Sequence, residues 1–293
     1  MKYAFAKIGK SIIALLIAVI FLASCSNETD EQTTLNKVRD QGYVVVGFAN
    51  EKPYAYQTAD GELTGEAVEI ARVILERLGI KEMRGVLTEF SSLVPGLQAG
   101  RFDMVTAGMF ITPQRAEEES VQFANPEYKI GQAIAVQKGN PLDLHSYQDI
   151  GENSEATIAI VGGAIEYQYA IEAGISEDQI VTVPDMPSAL SALLSGRVDA
   201  ITATGPSLQA TLDTANNDNI ERVEEFEQPV VDGESVEGYG ATVFRSEDQA
   251  FIDAFNAELE KLKESGELLE IIEPFGFTEK ELPGDVTVED VLE

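Results

Sequence analysis

Two α/β lobes facing each other across a ligand cleft are what this 293-residue sequence predicts, and three observations lead there. The first is an internal repeat: "SSLVPGLQAGRFDMVTAG" (91–108) and "SALSALLSGRVDAITATG" (188–205) share a short helix stopped by glycine, an Arg-x-Asp turn and a buried strand. One such unit in each half implies two lobes built on one plan. The second is the alternation of strand-like runs such as "YVVVGF", "ATIAIV" and "QIVTV" with amphipathic helices, which implies mainly parallel sheets covered by helices on both faces. The third is a pair of strand-like segments, "GQAIAVQKGNP" and "GYGATVFRSED", that bracket the second half of the repeat. They read as the two crossover strands between lobes, so that the chain runs from lobe one to lobe two and back. Sheets of this kind bind ligands at the carboxyl ends of their strands, and two facing lobes make a cleft there.

Taken in order, the elements begin with Lys2, Lys7 and Lys10 before an apolar run from Ile12 to Ala23 and "LASCS". This is the three-part form of a secretory signal peptide, expected over residues 1–24, and the run is short for a membrane span. "LASC" resembles a bacterial lipobox, which implies that Cys25, the only cysteine, becomes the lipidated first residue of the mature protein. No disulfide is then expected. "SNETDEQTTLN" is polar and without apolar period, so residues 25–38 are expected to be a flexible tether. Lobe one is assigned to 39–132 and 239–293, and lobe two to 133–238. In "GEAVEIARVILERLGI", Val68, Ala71, Leu75 and Leu78 share a face and Gly79 ends the helix, while "FIDAFNAELEKLKESGELLEII" is a helix pair expected to pack on lobe one.

Composition narrows the function. Hydrophobic residues make up 44% of the chain, enough for packed domains. Without the three leader lysines, 17 basic residues face all 51 acidic ones, a net charge of −34. Such a field repels nucleic acid and anionic membrane surfaces, and it keeps the protein soluble and monomeric. The only histidine, His145 in "LDLHSYQD", has no second soft ligand near it and fits a surface position at a helix start, so zinc and Ser-His chemistry find no support. No Gly-x-x-x-x-Gly-Lys loop is present, and no metal or cofactor is expected.

"GMFITPQRAEE" (108–118) carries the clearest functional signal. Thr112 is a good N-cap and Pro113 a good first helical residue, so Arg115 falls in the first turn of a helix. A basic residue there opposes the helix dipole. A guanidinium beside a helix N-terminus offers a fork for carboxylate or phosphate, and the competing reading is a salt bridge to Glu117 or Glu118.

Four blocks, "ADGELTGEAVEIARVILERLG", "LVPGLQAGRFDMVTAGMFITPQRAE", "GQAIAVQKGNP" and "LEKLKESGELLEIIEPFGF", occur in the order found in the polar amino-acid family of ABC-importer receptors, and the chain resembles that family over nearly its whole mature length. The resemblance implies the two-lobed type II periplasmic-binding-protein fold, a small-solute ligand, permease subunits as partners, and a place on the outer face of the cell membrane. It assigns Arg115, with Gly108 and Thr112 beside it, to the ligand's carboxylate. An acid after the second Gly-x-x-Asp turn usually takes the ammonium, but Thr204 and Gly205 stand there. In "VGGAIEY", Ala164 follows Gly163 where a hydroxyl residue is common, so backbone N–H groups are expected to serve the anion in that lobe.

"GFANEKPYAY", "FSSLVPGLQAGRFD" and "GMFITPQR" look like the ectoine and hydroxyectoine receptors within this family, which implies that Glu51, Tyr54, Phe90, Phe110 and Arg115 hold the solute. Ectoine is a cyclic zwitterion with a carboxylate and a delocalised amidinium, and three aromatic faces suit the latter through cation–π attraction. On the residues alone, Phe90 and Phe110 fit the core better than a ligand site, Tyr54 fits a surface loop, and Glu51 is one of 51 acids. Three rivals remain: an ordinary amino-acid receptor, a cyclohexadienyl dehydratase-like enzyme on the same fold with Glu51 as its acid, and a lipid-anchored sensor that feeds no importer.

Overall fold

The computed structural model describes residues 33–117, 121–231 and 234–293; the expected signal peptide, Cys25 and most of the tether lie outside them. In chain order the main elements are α1 (Thr34–Gln41), β1 (Tyr43–Phe48), α2 (Glu66–Arg77), β2 (Glu82–Leu87), α3 (Leu93–Gln98), β3 (Met104–Phe110), α4 (Pro113–Glu117), β4 (Val121–Phe123) and β5 (Tyr128–Ile130). There follow β6 (Gln132–Gln137), α5 (Tyr147–Glu152), β7 (Ile158–Val161), α6 (Glu166–Glu172), β8 (Ile180–Val183), α7 (Met186–Leu194), β9 (Ala200–Thr204), α8 (Gly205–Ala215) and β10 (Ile220–Arg222). The chain closes with β11 (Gly238–Arg245), α9 (Gln249–Ser265) and α10 (Glu267–Ile272).

Two sheets result. The first has the order β2-β1-β3-β11-β4, with β5 also pairing β11; the second is β8-β7-β9-β6-β10. β1 is parallel to β2 and β3, and β7 to β8 and β9. β11 is antiparallel to β3, β4 and β5, and β6 is antiparallel to β9 and β10. The sheets are therefore mixed rather than mainly parallel. β6 and β11 are the strands that follow the crossings, and a strand arriving from the other lobe enters its sheet from the opposite end, with no helical crossover to turn it parallel.

The tether also ends earlier than the sequence predicts. Residues 34–38 belong to α1, where Leu35 and Val38 are buried one turn apart. Two apolar positions in a polar segment are too few to reveal a helical period. α2 behaves as expected: Val68, Ala71 and Leu75 are buried, and Gly79 follows with a φ of 87°. α9 and α10 pack on α2 to close the first lobe.

The repeated unit has a common physical purpose in both lobes. Gly100 and Gly196 each turn the chain at a φ of 68° after α3 and α7. Two strands are then tied by the aspartate that follows: Asp103 accepts from the Val45 N–H of β1 at 3.0 Å, and Asp199 accepts from the Thr157 N–H just before β7 at 2.9 Å. Asp199 also accepts from the Thr157 hydroxyl at 2.8 Å. The Arg-x-Asp motif is thus a strand clamp, used once per lobe.

The crossings are tied to each other. Gln228, on the return path, accepts from the Gln132 N–H at 2.6 Å and donates to the Gln132 carbonyl at 2.9 Å. The side-chain amide thereby completes the backbone of the outgoing crossing.

Replacing Asp103 or Asp199 by alanine leaves a strand N–H without its acceptor, and each variant is expected to lose about 1–3 kcal/mol of stability in urea unfolding. Loss of less than about 0.5 kcal/mol in both would mean that the clamps are dispensable.

Candidate functional site

The ends of four strands define the site. After β1, a tight loop is closed by reciprocal bonds between Glu51 and Ala55, and the first amides of α2 bond to its carbonyls: Glu66 N–H to Pro53 at 2.9 Å and Ala67 N–H to Tyr54 at 3.1 Å. Helix α2 therefore fixes Glu51 and Tyr54. β3 delivers Gly108 and Phe110, and α4 carries Arg115, whose backbone N–H is capped by the Thr112 hydroxyl at 3.2 Å. From the second lobe, β7 leads into Gly163, Ala164 and the start of α6, while β9 ends at Thr204, where α8 begins.

Around these ends lies a cavity of about 30 Å³, lined by Glu51, Tyr54, Phe90, Gly108, Phe110, Arg115, Ala164, Ile165, Glu166 and Thr204. Eight of the ten ligand residues expected from the sequence are here. The other two stand just behind: Thr112 holds α4, and the Gly163 carbonyl accepts from Arg115. Cys25 lies outside the described residues.

Three polar contacts from cavity residues join the lobes. Arg115, 8% exposed, donates to the Phe110 carbonyl of its own lobe at 2.7 Å and to the Gly163 carbonyl of the other at 2.8 Å. Tyr54 donates to the Thr204 hydroxyl at 2.7 Å, and the Ser207 hydroxyl of α8 donates to Glu51 at 2.5 Å. Thr204, in the position the family usually gives to an acid, thus serves as the acceptor for an aromatic hydroxyl from lobe one.

The aromatic groups are both lining and core. Tyr54 stacks on Tyr128 with centroids 5.2 Å apart and meets the edge of Phe277 at 5.9 Å, and Phe110 lies 6.2 Å from Tyr128. Tyr54 and Phe110 are buried, whereas Phe90 is half-buried with the Arg115 guanidinium 5.7 Å from its ring centre. Glycines make the necessary room. Gly108 has a φ of 61°, and a Cβ there would press on the Tyr54 ring; a Cβ at Gly238 would lie inside the Phe110 ring.

Glu166 and Ser207 are the functional candidates that sequence reasoning missed. The second lobe does bring a carboxyl group to the cavity, but from α6 rather than from the end of β9. Glu166 stands in the "VGGAIEY" block, and only its place at the cavity wall separates it from the other acids of its lobe. Glu51 is pushed up to about 7 by burial, against the lowering effect of the Ser207 hydrogen bond and with a further rise from the charge of Glu166. Burial also raises Glu166, opposed by its own backbone N–H and by Arg115. Two acids that burial pushes toward the protonated form, beside one guanidinium, favour a ligand that carries both signs of charge. His145, by contrast, is half-buried just before α5 and its ring lies 3.1 Å from Asp143, far from this chemistry in sequence and in partners. Among the described residues, no group of three or more histidine, cysteine or acidic side chains is arranged to hold a metal ion.

An interlobe cavity at strand ends, lined by a buried cation, two acids and aromatic faces, defines a protein that captures a small charged solute. The chain belongs to the bacterial extracellular solute-binding proteins, family 3, whose family model matches residues 44–278. It is a solute-binding receptor of the kind that serves ABC amino-acid importers. It is 37% identical over 246 residues, 83% of this chain and 80% of the relative, to a probable amino-acid ABC transporter periplasmic-binding protein of Sinorhizobium fredii. Among solved structures it is similar to EhuB in complex with hydroxyectoine, with a TM-score of 0.80, 38% identity, and coverage of 88% of this chain and 97% of that one. An ancestral amino-acid-binding protein described as a precursor of cyclohexadienyl dehydratase shares the fold at a TM-score of 0.70 and 26% identity, over 83% of this chain and 99% of that one.

The Glu51 proton gives a pH signature. A free glutamate loses its proton near pH 4.3, whereas the folded chain keeps this one to about 7, so its stabilising contribution is full below the first value and is lost as the pH rises to the second. Glu51→Gln is expected to flatten the decline in melting temperature across that window. An unchanged decline would show that Glu51 is ionised throughout.

Proposed function

We propose that this receptor captures ectoine or 5-hydroxyectoine outside the cytoplasm and delivers it to the permease subunits of an ABC importer, held to the membrane by lipid on Cys25. The observation that carries the reading is the convergence of Arg115, three aromatic faces and two acids, Glu51 and the buried Glu166, on one interlobe cavity. The solute's carboxylate takes the Arg115 fork in place of the Phe110 and Gly163 carbonyls, and its amidinium lies against Tyr54, Phe90 and Phe110. A ring-sized solute exceeds the cavity, so the lobes part and close again around it. The likeness to a hydroxyectoine complex at 38% identity supports the same solute class. The dehydratase reading draws on the raised Glu51 and on the neighbour related to that enzyme, and it requires turnover of prephenate.

Calorimetric titration of residues 33–293 is expected to give a Kd in the micromolar range or tighter, roughly −8 kcal/mol, with ectoine or hydroxyectoine and no turnover. Heat with glutamine or arginine but none with ectoine would make it an ordinary amino-acid receptor, and release of phenylpyruvate from prephenate would make it an enzyme. Arg115→Lys keeps the charge but loses the planar fork, and binding is expected to weaken by about 1.5–3 kcal/mol with the fold intact.

Phe90 is the clean probe of the aromatic faces, because Tyr54 and Phe110 are also core. Phe90→Leu is expected to weaken ectoine binding by about 0.5–2 kcal/mol with little change in melting temperature. The opposite pattern, lower stability with affinity unchanged, would return Phe90 to packing alone.

A further inference from the structure

We propose that Glu166 is the second-lobe acceptor for the solute's cation, and that with Glu51 it selects a planar cation carrying two separate N–H groups. This rests on the ectoine reading and names the contact that makes it specific. Glu166 is 5% exposed at the first position of α6 and lines the cavity opposite the lobe-one acid. The interlobe contacts order the cavity. Arg115 bonds to Gly163, three residues before Glu166, so the start of α6 lies beside the guanidinium. Glu51 bonds to Ser207 in the first turn of α8, three residues after the Thr204 that accepts from Tyr54. The electrostatic influences follow the same order, since Arg115 acts on Glu166 and Glu166 acts on Glu51.

The chemistry of the solute matches that order. In ectoine the carbon that bears the carboxylate adjoins one amidinium nitrogen, and the other nitrogen lies across the ring. With the carboxylate on Arg115, the near N–H falls toward Glu166 and the far N–H toward Glu51. Each acid accepts one charge-assisted hydrogen bond, one from each lobe, so closure is completed by the cation itself. A quaternary ammonium such as that of glycine betaine suits the aromatic faces equally well but offers neither acid a donor. Covering the two carboxylates without a hydrogen bond from the solute penalises such a ligand, and discrimination arises from that penalty rather than from shape.

The test uses wild-type protein, Glu166→Gln and Glu166→Asp, titrated with ectoine, arginine and glycine betaine in two buffers of different ionisation enthalpy. Glu166→Gln is expected to weaken ectoine binding roughly 10- to 100-fold, the range for a hydrogen bond to a charged group, while glycine betaine binding stays as weak as in the wild type. Glu166→Asp, which keeps the charge with a shorter reach, should recover part of the loss. The buffer dependence should shrink in Glu166→Gln, because a carboxyl that burial holds above its ordinary range, and that the solute's cation draws back down, has been removed; a purely structural role leaves it unchanged. If Glu166→Gln melts early, the Asp variant and the proton count still decide. Wild-type affinity for ectoine and wild-type proton release in Glu166→Gln overturn the assignment while leaving the ectoine reading intact. Wild-type protein that binds arginine but not ectoine overturns the ectoine reading, and Glu166 is then judged by the same variants on arginine. Binding of glycine betaine alone overturns both.

Discussion

The guanidinium of Arg115 is the charge around which the rest of the cleft is arranged. It is buried in a chain of net charge −31, and burial of a cation is tolerated only where acceptors are fixed in advance. Those acceptors are carbonyls at the end of β3 and just after β7, at 2.7 and 2.8 Å. Both strands end at the site because the two Arg-x-Asp clamps hold them against their neighbours. The repeat therefore reaches the chemistry indirectly, by setting where each strand stops.

Much of this was legible in the sequence because it depends on local pattern. β1 coincides with "YVVVGF", α2 shows its apolar face in its spacing, and the Thr112-Pro113 pair predicts the short helix that carries Arg115. The aromatic residues were legible only through likeness to a family, since Tyr54 and Phe110 belong to the core as fully as to the cavity. What stayed hidden depends on distant partners. Strand direction in β6 and β11 follows from the crossings, and Glu166 and Ser207 differ from dozens of similar residues only in what the second lobe turns toward the first.

Behind the site, the aromatic layer is backed by further carboxyl groups. Glu66 and Glu127 are both buried, and burial raises each, with Glu127 adding to the rise on Glu66. The influence of Glu66 reaches the hydroxyl of Tyr128, which stacks on Tyr54 and donates to the Gly108 carbonyl at 2.7 Å. The rings of Tyr54 and Tyr128 thus back onto carboxyl groups. That favours a diffuse cation in front of them over an anion.

The amide of Gln228 gives the two crossings a mechanical consequence. Two independent strands between lobes permit bending, twisting and shearing in any proportion. Because one crossing completes the hydrogen bonds of the other, at 2.6 and 2.9 Å, either path moves only by carrying its neighbour with it. Gly131, beside this pair, has no side chain, and a Cβ there would strike the Gln228 amide. Any swing of the lobes therefore carries both crossings together, like leaves on a pinned strap.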